Sequence, residues 1–267
     1  MSLYKKHRPK QLSEIIGNEE TISALENIIQ DPDRPHAYLL SGPTGCGKTT
    51  IARILADQLE IRGRDLLELD TADFRGIDTV RQIREVAGRY PLEGDARMFL
   101  LDECHKMTND AQNALLKILE DTPDHVYFVL CTTDPDKLLK TVRGRCSTFE
   151  LRPLNDKQML SLLRRVVKEE GDTLTKQVYE QIIEDTEGLP RNALQVLDLV
   201  LRTEEEQRLE AAKKGAQTQN ESIELCRLLI EGAGWKRVSQ LVKGLRNEDP
   251  ESVRRHVLGY AASVALN

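Results

Sequence analysis

Four short apolar runs punctuate the first half of the chain: AYLL at 37–40, DLLELD at 65–70, RMFLLDE at 97–103 and HVYFVLCTT at 125–133. Two of them are bounded and β-rich enough to read as strands buried on both faces of a sheet. The stretches between are amphipathic, and 48–60, 76–89 and NDAQNALLKILED at 109–121 repeat apolar residues at helical spacing. Strands alternating with such helices predict right-handed crossovers, a mainly parallel sheet and an α/β class for residues 35–152.

After Pro153 the pattern is helical throughout. DKQMLSLLRRVVKEEG, LTKQVYEQIIEDTEG and PRNALQVLDLVLRT carry helical spacing, with Gly171 and Gly188 placed to end helices. The pattern predicts a domain over 1–152, a small helical domain over 153–202, and a linker or solvated helix over 203–220. Residues 221–267 hold three helix-like segments broken by Gly232, Gly234, Gly244 and Pro250. So short a region is expected to need a partner for stability.

Composition narrows the classes. Apolar residues make up 39% and charged residues 31%, which suits a soluble, helix-rich chain. No apolar stretch reaches the length of a membrane helix, and the basic start MSLYKKHRPKQLSEI has no apolar run behind it. The five cysteines, Cys46, Cys104, Cys131, Cys146 and Cys226, are odd in number and never spaced C-x-x-C. That usage predicts a reducing cytoplasm without a disulfide framework or a zinc site. Lys plus Arg total 38 against 44 Asp plus Glu, a net charge of −6, so any nucleic-acid contact must be local or shared among subunits.

Between the first apolar run and the first helix lies SGPTGCGKTT. Gly42, Gly47, Lys48 and Thr49 fit G-x-x-x-x-G-K-[ST], with the strand before and the helix after that the motif requires. Gly42, Pro43, Thr44, Gly45, Cys46, Gly47, Lys48, Thr49 and Thr50 are therefore the expected phosphate cradle. Its glycines let backbone N–H groups turn inward, and the helix start adds its dipole. Lys48 is expected to reach the β- and γ-phosphates of ATP, and Thr49 to offer its hydroxyl to Mg²⁺. Thr50 stands where a dinucleotide fingerprint would need its last glycine, so that reading fails. In MFLLDECH, Asp102 closes a strand at the sheet edge where ligands bind and is expected to hold Mg²⁺, while Glu103 polarises an attacking water. That pairing points to hydrolysis rather than to a small-molecule kinase. Thr132 and Thr133 end the next strand on the same edge, where one hydroxyl could read the γ-phosphate.

With these motifs placed, the chain resembles the AAA+ clamp-loader ATPases, most closely the bacterial gamma/tau-type subunits and the small subunits of replication factor C. The resemblance covers residues 3–202 and rests on YKKHRPKQLSEIIGNEE, HAYLLSGPTGCGKTTIARILA, MTNDAQNALLKILEDTPDHVYFVLCTTDPDKLLKTVRGRC and GLPRNALQVLD. It implies an AAA+ P-loop sheet with a helical lid domain and a short C-terminal helical collar. By resemblance, Arg8, Pro9 and Ile16 line an adenine pocket and Thr132 is the γ-phosphate sensor, with Thr133 the second choice. Arg145 would be the finger that reaches a neighbouring subunit's ATP, and Arg191 the lid-side sensor. Arg75, Thr79, Arg81, Arg84 and Lys106 are the implied DNA contacts.

The resemblance further implies partners: other loader subunits in a homo- or hetero-oligomeric, pentameric spiral, a sliding clamp, and primer–template DNA. No membrane is among them. The setting is the cytoplasm of a bacterial or phage-infected cell. Three departures stand out. The cysteine cluster of bacterial gamma-type subunits is missing, Gly144 replaces the serine before the finger arginine, and the region after 203 is shorter than a full collar, as in a minimal or phage-encoded loader or a truncated chain. Trp235 reads as a packing residue, and the five histidines show no ligand spacing. Cys46 reads as a small residue of the loop, with the further hypothesis that its helix N-terminal setting lowers its thiol pKa enough for modification to block ATP. Two other functions stay open: another AAA+ DNA machine, such as a helicase loader or branch-migration motor, and a non-hydrolysing scaffold subunit.

Overall fold

The computed structural model describes residues 2–71 and 76–213, with residues 228, 238 and 239. Arg75, Trp235, Cys226 and most of the expected collar over 221–267 lie outside the described residues. The chain divides into two compact units. One comprises residues 7–158 with 189–191, and the other residues 2–6 and 159–188 with the described residues from 192 onward.

In the larger unit five strands form one parallel sheet: β1 (Ala37–Ser41), β2 (Leu66–Asp70), β3 (Arg97–Asp102), β4 (Val126–Thr132) and β5 (Ser147–Glu150). Their order across the sheet is β2-β3-β4-β1-β5. The chain leaves β1 for the far edge, returns through β3 and β4, and crosses over β1 to reach β5. Such an order opens a crevice beyond the strand ends at β1 and β4, where ligands bind in sheets of this kind.

Helix α1 (Leu3–Lys6) belongs to the smaller unit, while α2 (Glu19–Gln30), α3 (Lys48–Gln58), α4 (Ile77–Ala87), α5 (Asn109–Glu120) and α6 (Lys140–Arg143) belong to the sheet. The period-2 alternation of the strands sorts their side chains into two cores. Tyr38, Leu40, Met98, Leu100, Val129 and Cys131 pack with Ile22 and Leu25 of α2 and Ile51 and Leu55 of α3. Leu39, Phe99, Leu101, Phe128 and Leu130 face the other way, onto Val80 and Ile83 of α4 and Leu115 and Ile118 of α5. Burying both faces is why the central strands read as continuous apolar runs. Every residue of β1 and β4 is buried.

The first residue of β3 is a buried cation. Arg97 Nη2 donates to Asp65 Oδ1 at 3.0 Å, and the two side chains are 3% and 1% exposed. Nη1 donates to the carbonyls of Val86 and Arg89, and Nη2 also to that of Tyr90. Asp65 in turn accepts the backbone N–H groups of Leu92 and Glu93. One ion pair thus fixes the whole 86–93 return into β3. Burial alone would raise the Asp65 pKa, but the two backbone donors and Arg97 outweigh it and hold the carboxyl below its ordinary value.

The smaller unit packs α7 (Asp156–Glu169), α8 (Lys176–Asp185) and α9 (Pro190–Leu201) through Met159, Leu163, Val166, Ile182 and Leu197. Part of the stretch read as a linker is anchored here. The Arg208 guanidinium grips Asp172, with Nη2 2.7 Å from Oδ2, and donates to the Thr173 carbonyl. No described helix is long and apolar enough to cross a membrane.

Candidate functional site

The C-terminal ends of β1, β3 and β4 converge on one edge, where Ser41 pairs in register with Thr132 and β3 ends at Asp102. From Ser41 the chain enters the glycine loop. Gly42 has φ +141°, and a Cβ there would stand 2.2 Å from the Leu151 carbonyl oxygen, so only glycine fits. Gly47, at φ +109°, is the N-cap of α3 and brings no side chain to cover the helix's first N–H groups. They are left for an anion.

Lys48 is 5% exposed, and its ammonium donates to the carbonyls of Gly42 at 2.7 Å and Pro43 at 3.0 Å. Carbonyl dipoles compensate a buried cation only in part, so the cradle fits an added anion such as a triphosphate. Thr49 Oγ1 donates to Asp102 Oδ2 at 3.0 Å, joining hydroxyl and carboxylate across two elements. Hard oxygen donors so paired suit Mg²⁺.

Glu103 occupies the left-handed region at φ 51°, ψ 37°. A non-glycine residue is costly there, by about 1 kcal/mol, and must be held by its surroundings. Thr71, at the end of β2, does the holding. Its hydroxyl lies 2.9 Å from the Asp102 carbonyl and 2.7 Å from that of Glu103, and its N–H donates to the Asp102 carbonyl at 3.0 Å. The Asp102 carboxylate accepts the Glu103 N–H at 3.0 Å. Burial pushes the Glu103 carboxyl pKa up, and the Asp102 charge adds to it against Lys48 and Lys106. Thr133 donates to Glu103 Oε2 at 3.4 Å. Thr132 is fully buried, and its hydroxyl accepts the Asp134 N–H at 3.0 Å.

The remaining residues singled out in the sequence fall into place unevenly. Arg191 is exposed beside the loop, with its N–H 3.4 Å from the Gly45 carbonyl. Thr44 is exposed, and Thr50 half-buried in the first turn of α3. Arg8, Pro9 and Ile16 are half-buried in the segment before α2. Arg145 follows α6 and is tied to the Glu120 carboxylate and, at 3.0 Å, to the Thr141 carbonyl. Arg81 and Arg84 line a groove between α4 and α5 with Ile77, Asn113 and Lys117, whereas Thr79 and Lys106 do not line it.

One expectation is corrected. Burial pushes the Cys46 thiol pKa up, more than Lys48, the local backbone donors and Arg191 pull it down. The Cys46 side chain is buried with the core, so the helix start does not activate the thiol. Thr71 and His105 were not among the residues read from the sequence. Thr71 carries no motif, and the spacing test applied to the histidines looks for metal ligands and so passes over a contact such as that of His105 with Thr132.

Comparison with known proteins bears on the same segments. Residues 60–155 match the family model of the DNA polymerase III delta subunit, and residues 19–94 that of Zeta toxin. The chain is 37% identical over 224 residues to DNA polymerase III subunit gamma/tau of Mycobacterium tuberculosis, covering 75% of this chain and 39% of that one. Against DNA polymerase III subunit tau of Escherichia coli it is 30% identical over 290 residues, with 99% and 45% covered. With the replication factor C small subunit of Methanococcus maripaludis it shares 38% identity over 198 residues, covering 72% and 62%. The chain thus spans less than half the length of the two bacterial relatives. Its fold is also that of the Thermotoga maritima RuvB Holliday junction branch migration motor, with a TM-score of 0.66 at 22% identity, covering 95% of this chain and 91% of that one. At that identity the likeness is one of fold alone, a parallel sheet with helices on both faces.

Proposed function

We propose that this chain, a homologue of the gamma/tau and replication factor C small subunits, is an ATPase subunit of a sliding-clamp loader. ATP binding and hydrolysis would drive opening of the processivity clamp and its placement on primer–template DNA. The observation that carries this is the meeting of Lys48, the Thr49–Asp102 pair, Glu103 and Thr132 at one sheet edge. The glycine loop with Lys48 and Thr49 would account for nucleotide binding without Glu103. The strained, braced carboxylate at Glu103 is what hydrolysis needs in addition.

In this reading the 42–50 loop holds the triphosphate and Lys48 neutralises its β- and γ-oxygens. Thr49 and Asp102 would hold Mg²⁺, which offsets phosphate charge when bound. Glu103 orients and deprotonates the attacking water, and Thr132 donates to the γ-phosphate. Arg191, beside Gly45, is the sensor in cis. Arg8, Pro9 and Ile16 form the adenine side. Arg145 serves a neighbouring subunit's ATP, so turnover depends on assembly. Arg81 and Arg84, with Thr79, Lys106 and Arg75 as further candidates, face the DNA backbone. The working setting is the replication site in the cytoplasm.

The test is turnover by the full chain assembled with its co-subunits, clamp and primed DNA. Glu103→Gln should keep ATP binding and lower turnover by about a hundredfold or more. Full turnover by that variant would remove the proposed mechanism. Processive strand translocation with no clamp loading would instead favour a motor like the RuvB-type neighbours.

A further inference from the structure

The imidazole of His105 sits where Thr132 and Glu103 approach each other. It belongs to the short 3-10 segment Cys104–Lys106 that leaves the strained turn, and its side chain is 5% exposed. Nδ1 is 3.1 Å from Thr132 Oγ1 and 3.5 Å from Glu103 Oε2. A single ring nitrogen therefore hydrogen-bonds Thr132 and stands within reach of Glu103. The Thr132 oxygen already accepts the Asp134 N–H, which leaves the hydroxyl one proton to donate. Glu103 Oε2 also receives the Thr133 hydroxyl.

Burial lowers the His105 pKa and Lys106 and Lys137 add to it, against Asp134, which favours the neutral ring with one N–H at pH 7. Nδ1 is then either a lone pair or an N–H. As a lone pair it accepts the Thr132 hydroxyl and repels the Glu103 carboxylate. As an N–H it donates to Glu103 Oε2, and the Thr132 proton must find another acceptor.

We propose that His105 is a positioning residue that ties the setting of Glu103 to the acceptor of the Thr132 hydroxyl. When a γ-phosphate oxygen takes that proton, Nδ1 carries hydrogen and holds Glu103 Oε2. When the phosphate leaves, the hydroxyl turns back to the Nδ1 lone pair and the carboxylate is released. The change moves one proton from Nε2 to water and one from water to Nδ1, so the ring stays neutral and nothing is consumed. The general base is held in place only while there is a phosphate to attack. This inference rests on the ATPase reading above.

Single-turnover ATPase of the assembled full chain, with binding of a fluorescent ATP analogue, tests it. His105→Ala should bind the analogue within about twofold of wild type and lower kcat by about tenfold or more. His105→Phe keeps the ring volume without nitrogen and should behave as Ala. His105→Asn restores a donor near Nδ1 and should recover most of kcat. Thr132→Val should lower kcat too, and the double variant with His105→Ala should be no worse than the weaker single. Wild-type kcat in His105→Phe, or independent multiplication of the His105 and Thr132 effects, would overturn the proposal. Undiminished turnover by Glu103→Gln would instead sink the ATPase reading, and this coupling with it.

Discussion

At the residue scale, the buried Arg97–Asp65 pair and the braced Glu103 set the terms. Removing one member of a buried pair strands the other, so Asp65→Asn should lower the unfolding free energy by about 3 kcal/mol in urea melts at pH 7. The folded carboxyl has a depressed pKa, so its contribution is fully present above its ordinary value of about 4. It is lost as pH falls through the lower folded value. Acid melts should lose that part of their pH dependence in the variant. Lys48, Thr49, Asp102 and Glu103 were legible in the sequence because each lies in a contiguous motif with a strand before it. Thr71 and His105 were not, since their partners stand 31 and 27 residues away in the chain and meet them only across strands.

Elements were legible in proportion to their apolar pattern. All four apolar runs are strands, where the pattern marks two as such, and the amphipathic helices appear within a few residues of their expected spans. Strand β5 was not anticipated: STFE buries only Phe149, and its place beside β1 is fixed by pairing rather than by an apolar run. The stretch over 203–220 reads as a linker or a solvated helix; its described part, 203–213, is largely exposed and ends in helix, with Ala212 buried and Arg208 clamped to Asp172. At this scale α5 and α6 meet where Glu120, at the end of α5, engages the Arg145 guanidinium just past α6. If Arg145 is the finger proposed above, a neighbour's triphosphate would compete with that carboxylate. An exposed pair is worth at most about 1 kcal/mol, so Glu120→Gln should raise DNA-stimulated turnover by about two- to fivefold. Steady-state ATPase with clamp and primed DNA reads this directly, and an unchanged rate would mean that Glu120 does not restrain the finger.

For the whole molecule, a net charge of −6 leaves any DNA affinity to local faces. The groove between α4 and α5 gathers Arg81, Arg84 and Lys117. Replacing both arginines by alanine should weaken primed-DNA binding and flatten its log–log salt dependence by about two. Fluorescence anisotropy across a salt series checks it. Assembly should dominate catalysis. Arg145→Ala is expected to cut turnover by about a thousandfold in the complex, and to leave the slow rate of the isolated chain unchanged.

Glycine is the residue most at ease at the backbone angles of position 103. Glu103→Gly would relieve both the backbone there and the crowding of two acids, adding about 1 kcal/mol to stability. The expected protein melts later and turns over nothing. On the proposed reading of Glu103, heat resistance and turnover are set against each other at a single pair of backbone angles.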